Sequence, residues 1–147
     1  MIIMDNPLLK IYTAKKPLFD TYCKQAQTTW QNPTPRNLDT LAFARTKLTK
    51  SINLGSQVMT DPMRKYAQKY DEQITDFINM CVFTPGDERN VTHMKKCQTA
   101  FLERYPEFTD LQPIYNAGCS FYDIATLVKP YAEKQGEMGV GGDYLSS

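Results

Sequence analysis

The sequence has no long apolar run, and this absence limits where the chain can reside. Its 147 residues are 41% hydrophobic and 22% charged, but no stretch approaches the roughly 20 consecutive apolar residues that span a bilayer. We therefore expect no transmembrane segment. The opening residues MIIMDNP lack a basic region and reach an acid after four apolar residues, so we also expect no signal peptide. These features predict an intracellular protein, in the cytoplasm or within an assembled particle or organelle complex.

Cysteine is sparse and irregularly spaced. In an intracellular chain its few copies are expected to be reduced and mostly buried, because cysteine behaves as a small hydrophobe. The four positions are Cys23, Cys81, Cys97 and Cys119. We expect Cys81 and Cys97 to lie about 12 Å apart along a tight helical hairpin, which is too far for a disulfide.

A metal site is the alternative use of these cysteines. His93 and Cys97 are four residues apart on one helical face, Cys81 lies on the preceding helix, and Cys119 is a fourth candidate ligand. Zinc sites usually pair their ligands in short knuckles such as C-x2-C, and this sequence has none. We therefore predict no metal and no cofactor, and the binding of a metal by Cys81, His93 and Cys97 remains the alternative.

Histidine occurs once, which leaves few candidates for catalysis. No Gly-x-Ser-x-Gly or other recognisable nucleophile motif surrounds His93. The glycines at 139–142 follow no strand, so they do not form a phosphate-binding loop. Two carboxylate pairs have the helical spacing that is common on solvated faces: Glu72 with Asp76, and Glu103 with Glu107. The sequence predicts a non-enzymatic protein, with an unfamiliar site assembled across the fold as the alternative.

Strand-like alternation is also absent, whereas apolar residues recur every three or four positions between prolines. The clearest segment runs from Asp61 to Phe83. Asp61 is its expected N-cap, Pro62 occupies the first helical position, and the TPG at 84–86 ends it. The expected core centres on the apolar stripes of this helix and the next, at Tyr66, Tyr70, Ile74, Phe77 and Phe101.

The remaining periodic segments predict an all-α fold. We expect one helical-bundle domain at 1–131, with about five main antiparallel helices, a short N-terminal helix after Asn6 or an apolar arm at Met1–Met4, and a flexible Gly-rich tail at 132–147. The other main helices are expected at Pro17–Trp30, Asn37–Met59, Thr84–Tyr105 and Pro113–Val128, the third of these being capped by Thr84, Pro85 and Asp87.

The net charge of +1 conceals an uneven distribution. Residues 1–70 hold 11 basic and 4 acidic residues, a net charge of +7, whereas residues 71–147 hold 6 and 12, a net charge of −6. The two halves can attract each other or present opposite charges to neighbours. The basic residues concentrate in a predicted anion-binding or partner-binding face formed by Arg45, Lys47, Lys50, Arg64, Lys65 and Lys69.

These observations predict a structural or interaction protein, a subunit or accessory protein of a larger intracellular or viral assembly. Its partners are expected to be other protein chains, docked through the N-terminal arm and the C-terminal tail. The alternative is a nucleic-acid-associated protein that places the basic face on phosphates and uses Tyr66 and Tyr70 as stacking groups. A pI of about 7.6 favours the first interpretation, because nucleic-acid-binding domains are usually strongly basic.

Overall fold

The structure is a computed structural model that describes residues 6–55, 57–81 and 88–140, with side chains at 6–54, 59–81 and 91–132. This part of the chain forms eight α-helices and one 3₁₀ helix and contains no strand, so the predicted all-α class is confirmed. The helices are α1 (Pro7–Ala14), α2 (Lys16–Gln31), α3 (Pro35–Gly55), α4 (Gln57–Lys69), α5 (Asp71–Met80), α6 (Glu88–Arg104), the 3₁₀ helix (Pro106–Leu111), α7 (Gln112–Asn116) and α8 (Phe121–Val140).

Helices α1 and α3 begin where a side chain accepts a hydrogen bond from a free backbone N–H. The side chain of Asn6 accepts a hydrogen bond from the Leu8 N–H at 2.9 Å, as expected for the cap of α1. Helix α2 also lies within one residue of its predicted bounds. Helix α3 starts two residues earlier than predicted, because the hydroxyl of Thr34, rather than Asn37, caps it and accepts from the Asn37 N–H at 3.1 Å. Pro35 then occupies the first helical position, where its missing donor costs nothing.

The helix predicted from Asp61 to Phe83 is wrong at its start and in its continuity. Helix α4 already begins at Gln57 and contains Pro62. Thr60, which precedes the expected cap, is buried, and Asp61 binds Arg64 instead of the free N–H groups. The helix is then interrupted at Tyr70, whose ring packs on Tyr66 and on Phe108 of the 3₁₀ helix at centroid distances of 5.0 and 4.9 Å. With this interruption, α4 and α5 both pack against α8.

The helix predicted from Pro113 to Val128 is also divided. The short α7 ends at Asn116, and the chain turns through Gly118, which has a φ of 120°. Helix α8 then starts at Phe121 and continues past the predicted end at Val128 and through Pro130. Pro130 is exposed, and because it has no N–H it removes one hydrogen bond from the helix.

Helix α8 lies at the centre of the fold and packs against α4, α5 and α6. Its first three turns are buried on several sides, as expected for a helix with apolar residues around most of its circumference. The buried apolar residues are Phe121, Ile124, Ala125, Leu127, Val128 and Tyr131. Phe121 stacks on Phe101 at 4.7 Å and meets Phe77 at 5.1 Å. Of the five predicted core residues, Ile74, Phe77 and Phe101 are buried, whereas Tyr66 and Tyr70 lie half-buried at the edge.

Several predictions fall outside the described residues. They are the arm at Met1–Met4, the cap at Thr84, Pro85 and Asp87, and the tail beyond Val140. The domain boundary at 131 stays a prediction, although α8 continues past it. None of the described helices is both long enough and apolar enough to cross a membrane.

Candidate functional site

Arg45 does not belong to an exposed basic face. It is half-buried, and its Nε has no hydrogen-bond partner in the described part of the molecule. Its positive charge acts on Tyr22, Cys119 and Asp123, whose pKa values it lowers against the larger effect of burial. Arg45 therefore faces a buried polar cluster between α2 and α8, which corrects its assignment to the binding surface.

The three basic residues of α4 are placed differently from one another. Arg64 is half-buried and forms an ion pair with Asp61 at 2.7 Å. Lys65 and Lys69 are exposed, and the ammonium of Lys69 lies over the Tyr70 ring, 5.1 Å from its centroid. Only two of the three charges on α4 are thus available to an anionic partner.

Lys47 and Lys50 lie on an outward surface of α3 that also carries exposed apolar side chains. Phe43 is 67% exposed and Leu54 is 86% exposed. The spacing 43, 47, 50 and 54 places all four residues on one helical face, three turns and about 16 Å long. We call Phe43, Lys47, Lys50 and Leu54 the α3 outer stripe. Lysines flanked by large exposed apolar residues are a surface suited to an amphipathic segment of opposite charge.

A shallow groove of about 210 Å³ adjoins the α3 outer stripe. It runs between α2 and α3, and polar and apolar side chains both line it: Leu18, Thr21, Gln25, Thr40, Phe43, Ala44 and Lys47. Phe43 forms part of its wall. The groove therefore extends the apolar surface from α3 towards α2.

Lys47 and Lys50 were predicted from their charge, whereas Phe43 and Leu54 were not predicted from the sequence. Both apolar residues are offset from the inner stripe of α3, whose buried positions are Leu41, Leu48 and Ile52. The signal available was this offset itself, since two large apolar residues eleven positions apart on the polar side of a helix form a second face.

The tyrosines assigned to base stacking are engaged in the fold. Tyr66 packs against Tyr70, and burial, the largest influence, raises the Tyr66 pKa well above its usual value. Tyr70 also packs edge-on against Phe108. Both rings therefore have neighbours on faces that a nucleobase would need.

A buried polar cluster at the start of α8 was not foreseen. The carboxylate of Asp123 is fully buried and accepts hydrogen bonds from Trp30 Nε1 at 2.9 and 3.1 Å, from the Ser120 N–H at 2.8 Å and from the Ser120 hydroxyl at 2.9 Å. The Tyr22 hydroxyl donates to the Asp123 carbonyl at 2.6 Å. Ser120 and Asp123 form a capping box, and the Ser-x-x-Asp pattern before an apolar run was the available signal. Every described oxygen of this carboxylate has a donor, which is typical of a structural role.

Three of the candidate metal ligands, Cys81, His93 and Cys97, lie near one another, whereas the fourth, Cys119, does not. His93 Nε2 lies 3.1 Å from the Met80 carbonyl and 3.4 Å from the Cys97 sulfur. Cys119 lies beside Cys23 instead. Among the residues with described side chains, no group of three or more histidines, cysteines and carboxylates is arranged to hold a metal ion.

The carboxylate pairs are exposed, and one of them is divided between two elements. Glu72 and Asp76 lie on α5, whereas Glu103 is on α6 and Glu107 is on the 3₁₀ helix. The separation predicted for Cys81 and Cys97 is wrong, since the two thiols are close enough for Cys97 to raise the pKa of Cys81 further, in addition to the larger effect of burial.

The register between α5 and α6 explains this proximity. The rings of Phe77 and Phe101 lie 5.0 Å apart, and Cys81 is opposite Cys97 in the same antiparallel register. In both pairs the two residues are equally far from position 89. The turn predicted from the sequence was at 84 and 85, which would have paired each residue of α5 with an earlier residue of α6. Helix α5 ends at Met80, so α6 extends its first turns past it and brings Cys97 level with Cys81.

Comparison of the chain with protein-family models, with curated proteins and with solved structures gave no match.

Proposed function

We propose that the protein is a non-enzymatic interaction protein, a subunit or accessory protein of a larger assembly, and that it binds an acidic amphipathic segment of a partner protein on the α3 outer stripe. The observation that supports this proposal is the alignment of Phe43 and Leu54 with Lys47 and Lys50 on one exposed face of α3. Isolated apolar residues are normal on protein surfaces, but two that share a face with flanking charges and an adjoining groove favour a docking site.

The charge of the stripe favours an acidic partner over a second copy of the chain. A symmetric pairing of two α3 helices would bring four lysines together, and like charges at an interface oppose association. An acidic helix would place carboxylates against Lys47 and Lys50 and apolar residues on Phe43 and Leu54. Its apolar residues at helical spacing would match a stripe about 16 Å long.

Nucleic-acid binding is the second candidate, carried by the exposed lysines of α3 and α4. It accounts for Lys47, Lys50, Lys65 and Lys69, but it gives no role to the exposed Phe43 and Leu54. Phosphate contacts would make binding to any duplex fall steeply with salt concentration. A salt titration with generic DNA and RNA therefore distinguishes the two candidates, since the protein-docking proposal predicts no appreciable affinity for either at physiological salt.

The direct test replaces Phe43 with a photo-crosslinking phenylalanine analogue in the full chain, expressed in the cells that make the protein. We expect crosslinks to a protein, at a peptide rich in Asp and Glu. The double variant Lys47→Glu, Lys50→Glu should reduce the crosslink yield at least roughly tenfold, because two attractions become repulsions. In a pull-down without the crosslinker, the double variant Phe43→Ala, Leu54→Ala should weaken recovery of the same partner by a similar factor.

The matched control is Lys95→Glu with Lys96→Glu, which changes the net charge equally on exposed positions of α6. This variant should leave the crosslink intact. Crosslinks to nucleic acid, to basic peptides only, or with equal sensitivity to both lysine pairs would contradict the proposal. Thermal melting of each variant shows whether a loss of binding results from unfolding.

A further inference from the structure

The four cysteines lie as two neighbouring pairs. The Cys119 thiol donates to the Cys23 sulfur across 2.7 Å, and the Cys97 thiol is near enough to Cys81 to influence its pKa. All four are free and buried. The first pair joins α2 to the segment that leads into α8, and its members are 96 positions apart in the chain.

The backbone is shaped to bring Cys119 onto α2. Gly118 has a φ of 120°, and a Cβ at this position would lie 2.8 Å from the Cys23 carbonyl oxygen. The chain therefore approaches α2 closely at this point because residue 118 has no side chain. A disulfide bond is about 2.0 Å long, so closing one between Cys23 and Cys119 requires the sulfur atoms to move by less than about 1 Å.

We propose that Cys23 and Cys119 form a disulfide by exchange with a disulfide donor of the glutathione or protein dithiol class. One thiolate attacks the donor disulfide and expels one donor thiol, and the second cysteine then attacks the mixed disulfide and expels the other. Two thiols lose two electrons and two protons, and the donor disulfide gains them as two thiols. The product links α2 to the start of α8.

The timing of this reaction follows from burial. Desolvation raises the pKa of the Cys119 thiol well above its usual value, with the neighbouring Cys23 as a further cause. The thiolate is the attacking species, so exchange in the closed core is slow. The disulfide therefore forms during folding, or when the segment at Gly118 opens, and it resists reduction once the core is closed. This disulfide differs from the reduced state expected for the cysteines from the sequence, because disulfides persist mainly in oxidising compartments.

The test uses the full chain, refolded once in a mixture of reduced and oxidised glutathione and once in dithiothreitol. We expect non-reducing peptide mapping of the first sample to give a crosslinked pair that contains Cys23 and Cys119. Its melting temperature should exceed that of the reduced sample by roughly 10 °C, because the bond closes a long loop. Cys119→Ser should abolish both the crosslinked peptide and the difference in melting temperature.

Cys97→Ser is the matched control, since it removes a buried thiol on another helix pair and should leave the Cys23–Cys119 crosslink in place. Four alkylatable thiols in the refolded, oxidised wild-type chain would overturn the proposal. So would a crosslink of Cys23 to Cys81 or Cys97, or an oxidised form that melts no higher than the reduced form. The peptide map of the wild-type chain decides the question even where a serine variant fails to fold.

Discussion

Asp123 is the residue with the most demanding environment in the described part of the chain. Its carboxylate is fully buried, yet it receives hydrogen bonds from Trp30 and from both the backbone and the side chain of Ser120. These bonds tie α2 to the first turn of α8. Removal of the carboxylate would leave the buried Trp30 Nε1–H without this acceptor, and an unpaired buried donor costs about 1 to 3 kcal/mol.

We therefore expect Asp123→Ala to lower the free energy of unfolding by about 1 to 3 kcal/mol for each donor left unpaired. Asp110→Ala, at an exposed position of the 3₁₀ helix, is the control and should change it by less than about 0.5 kcal/mol. Denaturant titration of both variants measures the difference. Equal losses in the two variants would mean that the hydrogen bonds of Asp123 contribute nothing specific.

The same residue predicts a dependence of stability on pH. Burial, the largest influence, raises the pKa of Asp123 above its usual value of 3.8. The folded state thus holds this proton more tightly than the unfolded chain. The contribution of the carboxyl to stability is full below the unfolded pKa and is lost as the pH rises through the folded pKa.

Asp123→Asn does not titrate, so the stability advantage of the wild-type protein over this variant should shrink as the pH rises. Denaturant titrations from about pH 4 to about pH 7 follow that difference. An advantage that grows over this range would show that the hydrogen bonds outweigh burial and depress the pKa.

Gly118 is the second residue whose identity the fold requires. A side chain at a φ of 120° is strained, and its Cβ would also meet the Cys23 carbonyl. We expect Gly118→Ala to destabilise the protein by more than about 1 kcal/mol, although the same substitution is stabilising where the backbone tolerates it. Asn116→Ala, at an exposed position two residues earlier, should have little effect on the melting temperature. A Gly118→Ala protein as stable as the wild type would contradict the close approach described here.

At the scale of helices, the sequence predicted best where the determinants are local. Asn6, Pro7 and Pro17 predicted the starts of α1 and α2 to within one residue, because capping and the missing proline N–H act within a single turn. The breaks at Tyr70 and Gly118 were not predicted, since each depends on distant partners, Phe108 and Cys23. The central position of α8 was missed for the same reason. Periodicity identifies an apolar face but not the number of helices that cover it.

The candidate site followed the same division. Lys47 and Lys50 were identifiable from charge alone, whereas the inward placement of Arg45 depends on Tyr22 and Asp123, which lie far from it in sequence. Helical spacing places Phe43 and Leu54 on one face of α3, but whether that face is exposed depends on the helices that pack against α3. The arm and the tail stay predictions.

At the scale of the whole molecule, an aromatic cluster joins α5, α6, the 3₁₀ helix and α8. Phe77 lies 5.0 Å from Phe101 and 5.1 Å from Phe121, and Phe108 lies 5.2 Å from Phe101. Close ring pairs of this kind add to the free energy of simple burial. The cluster combines elements from the second half of the chain into one core.

Phe77→Ala should accordingly lower the free energy of unfolding by about 3 to 5 kcal/mol, because it leaves a cavity between three helices. Phe43→Ala makes the same chemical change at a position that is 67% exposed, and it should cost less than about 0.5 kcal/mol. Parallel denaturant titrations compare the two. A loss under about 1 kcal/mol for Phe77→Ala would contradict the assigned core.

The hydrogen bonds from Tyr22 and Trp30 to Asp123 join residues 101 and 93 positions apart, and this separation matters while a ribosome is making the chain. Synthesis proceeds from the N-terminus at about 5 to 20 residues per second. Helix α2 therefore waits several seconds for its polar partner on α8. Until α8 emerges, the nascent chain presents the indole of Trp30 and the faces of α4 and α5 that pack on α8 to the surrounding solution. Chaperones that bind exposed apolar segments would have access to these surfaces throughout that interval.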